Sequence, residues 1–336
     1  MRTAVVLMNL GGPDSLDAVE PFLTNLFSDP AIIRLPWLLR MPLARLIARA
    51  RAGTAREIYK KLGGASPLLA NTEAQAQALD RLLGPDYRSF IAMRYWRPTS
   101  ADAARAVADW KPDSIVCLPL YPQLSTTTTA SSLADWRHAM TQLRLDLPTR
   151  VVCCYPAEKG FIEAIAGLVR PLLNRASDHA KPLRLLLTAH GLPKKIVTAG
   201  DPYPRQVELT ARAIVAELAQ PELDWQVCYQ SRVGPLEWIG PATDDEIRRA
   251  GSEGVPLVVT PISFVSEHSE TLVELDLDYR DLAARCGVPA YDRVPTVGVE
   301  PAFITALAKL VDRAVPEPTA CPALLRGACA NAWAAA

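Results

Sequence analysis

No run of this chain reaches the roughly 18 uncharged apolar residues that a membrane-crossing helix needs. Its first apolar stretch, MRTAVVLMNLGGP, is stopped by Gly11, Gly12 and Pro13. That stretch carries no small-residue cleavage site, so the chain is expected to stay in the compartment where it is made. Neither sign of charge is in excess, with 36 Lys and Arg against 36 Asp and Glu. Such a balance gives no field to draw nucleic acid. The glycine-containing loops LGGP at 10–13 and KLGGASPL at 61–68 match neither phosphate-binding spacing, so no nucleotide is expected. Cysteine is sparse and odd in number, at 117, 153, 154, 228, 286, 321 and 329. This excludes a disulfide-stapled secreted domain and fits a reducing cytoplasm. Histidine is scarcer still, at 4 residues, and H-E-x-x-H does not occur, which argues against a closed structural zinc site.

What is present is core. Apolar residues make up 49% of 336, enough for roughly two domains of ordinary globular composition. Short β-branched runs fall at 5–9, 89–93, 114–120 and 150–155, then at 183–189, 225–229, 256–262 and 296–299. Most are continuously apolar rather than alternating, as strands covered on both faces are. Helical patterns lie among them, as at 101–110, 160–174, 206–218 and 269–285. The expected fold is therefore α/β, with parallel sheets flanked by helices.

The chain also reads as doubled, because IVCLPLYPQLS at 115–125 and LVVTPISFVSE at 257–267 both run strand, proline, apolar, turn, serine. The expected boundary is the breaker-rich stretch 175–182, giving lobes at 1–177 and 178–315 and a tail at 316–336. Ligands of open α/β sheets bind beyond the carboxyl ends of strands, so both echoed loops and the loop after Leu187 are expected to face one cleft. One segment departs from this pattern. Residues 21–61 combine Leu, Ile, Phe and Trp37 with Arg34, Arg40, Arg45, Arg49, Arg51, Arg56, Lys60 and Lys61. That mixture suits an anionic membrane surface or a lip over a greasy substrate, and equally an amphipathic helix packed on the sheet.

Chemistry concentrates in two places. In LLLTAHGLP, 185–193, a buried strand delivers His190 to its end, and Gly191 and Pro193 stop it there. In SEHSETLVELDLDY, 266–279, a helix capped by Ser266 would align Glu270, Glu274 and Asp278 at steps of four, with His268 just ahead. Alone, such a ladder is a solvated acidic face; beside His190 it is a site able to take protons and hold a divalent cation. Arg94, Tyr95 and Arg97, just past a strand end, either receive a carboxylate or keep a loop solvated. The run STTTTASS, 125–132, caps a helix or meets an anionic group, and Trp238 stacks on a planar ligand or fills core.

Seven motifs resemble the ferrochelatases in register from about residue 4 to 312: LMNLGGPDS (7–15), MRYWRP (93–98), YPQLSTTTTASS (121–132), TAHGLP (188–193), GDPYP (200–204), SRVGPLEWIGP (231–241) and SEHSETLVELDLDY (266–279). The resemblance implies two Rossmann-like lobes enclosing a porphyrin cleft, where ferrous iron is inserted as two pyrrole protons leave. By matching, His190 is the catalytic imidazole, as base or metal ligand, Glu270 its acidic partner and fellow metal ligand, and His268 a support. Glu274 and Asp278 continue a path for protons or metal. Leu10, Arg94, Tyr95, Thr127, Trp238 and Phe264 match porphyrin-contact positions, and 21–61 matches the active-site lip. Relatives that use coproporphyrin often resemble Y-G-T-P where this chain has L-G-G-P, which favours protoporphyrin IX and protohaem.

The resemblance further implies haem-pathway enzymes and the cytoplasmic membrane surface as partners. No cofactor is expected for the chemistry, with Fe2+ as substrate. Some relatives hold a 2Fe–2S cluster; here the tail offers only Cys321 and Cys329, so Cys153, Cys154 or Cys286 would have to complete four thiolates, and no cluster is expected. Two rivals remain open at this point: a chelatase placing cobalt or nickel in another tetrapyrrole, and a two-lobed carrier.

Overall fold

The computed structural model describes residues 1–175 and 182–316. Two compact units emerge, one of residues 1–154 with 307–316, the other Tyr155–Ala306. The expected boundary at 177 and 178, and the tail beyond 316, lie outside the described residues.

In the first unit, β1 (Thr3–Asn9) is buried at every residue, as its TAVVLMN composition dictates for a central strand. It pairs in parallel with β2 (Tyr87–Met93) on one side and β3 (Ser114–Pro119) on the other. Short β4 (Thr149–Val151) continues parallel from β3, and β9 (Val315–Pro316) closes that edge antiparallel. The helices of this unit are α1 (Val19–Phe27), α2 (Trp37–Lys61), α3 (Leu68–Leu83), α4 (Ser100–Trp110) and α5 (Thr129–Gln142). A reciprocal box of Thr99 and Asp102 starts α4. Phe90, Trp136, Val107 and Ile115 anchor the core that α4 and α5 cover.

The second unit opens with α6 (Lys159–Arg175). Its sheet centres on β5 (Arg184–His190), flanked by β6 (Asp224–Gln230) and β7 (Leu257–Pro261), with β8 (Tyr291–Arg293) outside β7. All of these pairings are parallel. Around them run α7 (Lys194–Thr198), α8 (Tyr203–Leu218), α9 (Thr243–Glu253), a π-helix (Glu270–Asp278), α10 (Tyr279–Arg285) and α11 (Pro301–Asp312), the last leading on into the first unit. The strand orders are β2-β1-β3-β4 and β6-β5-β7-β8, the same order shifted by four, which is the doubling read from the echoed loops.

Three local expectations are corrected. The run 296–299 is not a strand: it turns, with Gly298 at φ +46°, and the strand beside β7 is Tyr291–Arg293. The run 150–155 pairs only as far as Val151, because the chain leaves the first unit after Cys154. The pattern at 269–285 is not one α-helix, since Glu270–Asp278 has i→i+5 geometry and the α-helix begins only at Tyr279. Ser266 does not cap it; the residue before the π-helix is Ser269, with no side-chain cap.

The basic, apolar segment forms α1 and α2. Ala44, Ala48 and Ala52 of α2 face inward, with Ala48 packed in a cluster with Val19, Phe22 and Leu23. Trp37, Leu38, Leu39 and Leu46 are 62–75% exposed, so over the first half of α2 large apolar residues point out and alanines in, and only toward its end does a large residue, Tyr59, turn inward. No described helix is long and apolar enough to cross a membrane.

Candidate active site

In the order β6-β5-β7-β8 the chain reverses its winding direction between β5 and β7, where open α/β sheets bind ligands beyond the strand ends. His190 is the last residue of β5, and the loop after β7 carries Ser266 and His268 and leads to Glu270, the first residue of the π-helix. Register sets His190 opposite Gln230, the last residue of β6. Gly191 follows, its N–H donating to the Gln230 carbonyl at 2.8 Å. A Cβ there would lie 2.9 Å from that carbonyl and 3.2 Å from the Trp238 ring, so only glycine lets Trp238 close on the strand end.

Two imidazoles meet one carboxylate oxygen. His190 Nε2 is 3.7 Å from Glu270 Oε2, and His268 Nε2 is 3.5 Å from the same atom. Each Nδ1 lies against a backbone carbonyl, Gly191 at 2.6 Å for His190 and Ser266 at 3.1 Å for His268. A carbonyl only accepts, so each Nδ1 carries the hydrogen and each Nε2 offers its lone pair when the ring is neutral. Three lone-pair atoms thus converge, which repels neutral rings and favours a proton or a cation among them. His268 is buried with the Phe264 ring 4.6 Å away, whereas His190 is partly open.

The two carboxylates are driven apart in acidity. Burial pushes Glu270 up, but the His190 charge and the His268 contact outweigh it and hold the group at about 2. Burial and the Glu270 charge raise Glu274, against hydrogen bonds that favour its ionised form. Those bonds come from the Ser231 N–H at 2.8 Å, the Ser231 hydroxyl at 2.5 Å, Gln230 Nε2 at 3.1 Å and the Tyr279 hydroxyl at 3.0 Å. Gln230, fully buried, donates also to the Glu270 carbonyl at 2.9 Å and accepts from Thr188 at 2.9 Å. Paired titratable groups pushed in opposite directions are the signature of assigned acid and base roles. Asp278 ends the π-helix and is exposed, so Glu270 and Glu274 are brought together and Asp278 lies toward solvent.

Sequence reasoning missed Gln230, and Ser231 and Tyr279 drew notice only as the ends of motifs, with no role given to either. The available signal was the polar pair at the end of β6, since the ends of adjacent parallel strands share one edge of the sheet.

The remaining predicted residues divide by unit. Trp238 lies against Gly191, the residue after His190, and is bridged to Pro193, with a buried indole N–H that has no hydrogen-bond partner. In the first unit Leu10 follows β1 and packs with Tyr95 and Phe22. Thr127, in the loop after β3, is buried with its hydroxyl 2.9 Å from that of Ser125. Tyr95 is 2% exposed and its hydroxyl donates to Asp29 at 2.7 Å. The Arg94 guanidinium is matched within the chain, by Asp29 at 2.9 Å and by the Ser131 hydroxyl at 2.7 Å. Among the described residues no three His, Cys, Asp or Glu side chains are grouped to hold a resident metal, and Cys153, Cys154 and Cys286 form no disulfide. Cys321 and Cys329 lie outside the described residues.

The ferrochelatase family model matches residues 2–315. The chain belongs to the ferrochelatase family. It is 55% identical over 328 residues to a ferrochelatase of Phenylobacterium zucineum (strain HLK1), covering 96% of this chain and 94% of that one. A ferrochelatase of Caulobacter vibrioides (strain NA1000 / CB15N) is 54% identical over 315 residues, 92% and 89% of the two chains. Among solved structures, SirB from Bacillus subtilis with Fe3+ matches at TM-score 0.53 and 12% identity over 93% of this ferrochelatase-family chain and 95% of its own. The sirohydrochlorin chelatase SirB from Bacillus subtilis subspecies spizizenii in complex with cobalt matches at the same TM-score and 11% identity, over 93% and 95%. At such identity the likeness shows the fold alone, an α/β fold with parallel sheets flanked by helices.

Proposed function

We propose that this chain inserts ferrous iron into protoporphyrin IX to form protohaem, as a lyase of haem synthesis. The observation that carries this reading is the convergence of His190 Nε2 and His268 Nε2 on Glu270 Oε2 in a chain of the ferrochelatase family. The reaction exchanges two pyrrole protons for one Fe2+, so charge on the macrocycle is conserved and the protein must take two protons away. His190 accepts at Nε2, because its Nδ1 hydrogen is held by the Gly191 carbonyl. Ionised Glu270 stabilises the imidazolium and holds His268 beside it. Glu274, made a weaker acid by burial and the Glu270 charge, exchanges protons with that pair and passes them toward exposed Asp278. The same His190 and Glu270 atoms are the donors that suit ferrous iron in transit, an imidazole and a carboxylate.

Trp238 and Phe264 are the apolar surfaces proposed for the porphyrin beside this pair, bending the macrocycle so that its nitrogen lone pairs are exposed. Within the first unit, Arg94 and Tyr95 tie the segment after β2 to Asp29 and Ser131 and so hold the surroundings of Leu10 and Thr127. Exposed Trp37, Leu38, Leu39 and Leu46 beside Arg45 and Arg49 suit an anionic membrane surface on the cytoplasmic side.

The test is anaerobic turnover: purified protein mixed with protoporphyrin IX and Fe2+, followed by loss of porphyrin fluorescence and growth of haem absorbance. Catalytic metalation is expected. Tight porphyrin binding with no metalation, also with cobalt, nickel or coproporphyrin supplied, would replace the chelatase reading by a carrier.

A further inference from the structure

Eight residues separate Glu267 from Asp276, and His268, Glu270 and Glu274 lie within that span. Both flanking carboxylates are held by one guanidinium. Arg293 Nη1 donates to Glu267 Oε1 at 2.5 Å, Nε donates to Asp276 Oδ1 at 2.8 Å, and Nη2 donates to Asp276 Oδ2. The Arg293 side chain is 9% exposed, and Glu267 and Asp276 are 23% and 26% exposed. Arg293 ends β8, next to β7 in the sheet, so it stands on a fixed element while its partners lie on the loop and π-helix that follow β7. The Thr296 N–H adds a bond to Glu267 Oε1 at 2.9 Å.

We infer that Arg293 is a positioning residue, clamping the segment that carries His268, Glu270 and Glu274 at both ends and so fixing where Glu270 meets His190. Two physical points favour positioning over mere stabilisation. An ion pair shielded to this degree contributes little net stability compared with apolar packing, because desolvation offsets the attraction. An i→i+5 helix is rarely populated unless its surroundings over-determine it, and a planar fork reaching two carboxylates supplies that constraint from the side of β8. Gln230 and Ser231 hold the same segment from β6 through Glu274.

This inference rests on the chelatase reading for its kinetic arm, so it is tested with a second readout that does not. Arg293→Gln, Arg293→Lys and Asp276→Asn are compared with wild type by steady-state metalation and by hydrogen–deuterium exchange. The expected result is a kcat lowered about 10- to 100-fold in Arg293→Gln with the porphyrin KM unchanged, and a smaller loss in Arg293→Lys, whose single ammonium reaches one partner at a time. Amide exchange over 266–278 is expected to accelerate while β5 and β6 stay protected. Unchanged exchange there, or turnover within about twofold of wild type in a folded Arg293→Gln, overturns the clamp. Should Arg293→Gln fail to fold, Asp276→Asn decides by the same two readouts. Absence of turnover in the wild type itself would count against the chelatase reading and leave exchange to judge Arg293.

Discussion

Sharing one carboxylate oxygen between two imidazoles makes Glu270 answerable to pH. Glu270 sits at about 2 against the ordinary 4.5, so its ionised form is favoured by folding. A depressed carboxyl contributes stability that is present above pH 4.5 and lost as pH falls toward 2. Glu270→Gln is expected to lose that dependence, on the order of 3 kcal/mol at most, seen as a flatter denaturation midpoint across this window. An unchanged profile would deny the pairing with His190 and His268. Glu274 runs the other way: burial and the Glu270 charge make it a weaker acid than an ordinary carboxyl, so its ionisation costs stability as pH rises above the ordinary carboxyl value. Glu274→Gln is therefore expected to raise the melting temperature at neutral pH while slowing metalation, and a fall in both would contradict its assignment as a strained relay. Gly191→Ala is expected to shift Trp238 and cost about 1–3 kcal/mol, since the added Cβ meets the Gln230 carbonyl at 2.9 Å. Indole fluorescence and thermal melting check it together.

At the scale of elements, the π-helix is where sequence and structure part. Glu270, Glu274 and Asp278 are spaced as for an α-helix, and nothing in ETLVELDLD announces i→i+5 bonding. That conformation depends on Gln230, Ser231 and Arg293, which come from β6, its following loop and β8 and are distant in sequence. The strand ending in His190 was legible, because a continuous apolar run stopped by glycine and proline reads the same way locally and in the fold. The loss of 296–299 as a strand followed from β-branched composition prevailing in the reading over Pro295 and Gly298, which break the chain. Helix α2 yields its own prediction. If its exposed Leu38 and Leu39 meet an anionic bilayer, wild type co-floats with phosphatidylglycerol vesicles at low salt, and a Leu38→Ser, Leu39→Ser double variant co-floats several-fold less. Equal flotation of the two proteins would remove the membrane role of this helix.

For the whole molecule, fold class and doubling were readable because each lobe repeats one strand order, and local pattern, turn residues and burial agree. The same chain logic located His190 and the acidic segment, since both follow central strands flanking the point where the winding reverses. What was not readable is how Arg94 and Tyr95 are spent. As arginine and tyrosine past a strand end they suit a substrate carboxylate, yet Asp29, more than sixty residues upstream, takes both. The central claim is that His190 moves the proton. The most direct measurement is anaerobic stopped-flow mixing of Fe2+ with protein already loaded with protoporphyrin IX, wild type beside His190→Ala. The account predicts metalation slowed about 100-fold or more in the variant with porphyrin affinity unchanged. Metalation at the wild-type rate in His190→Ala would contradict it.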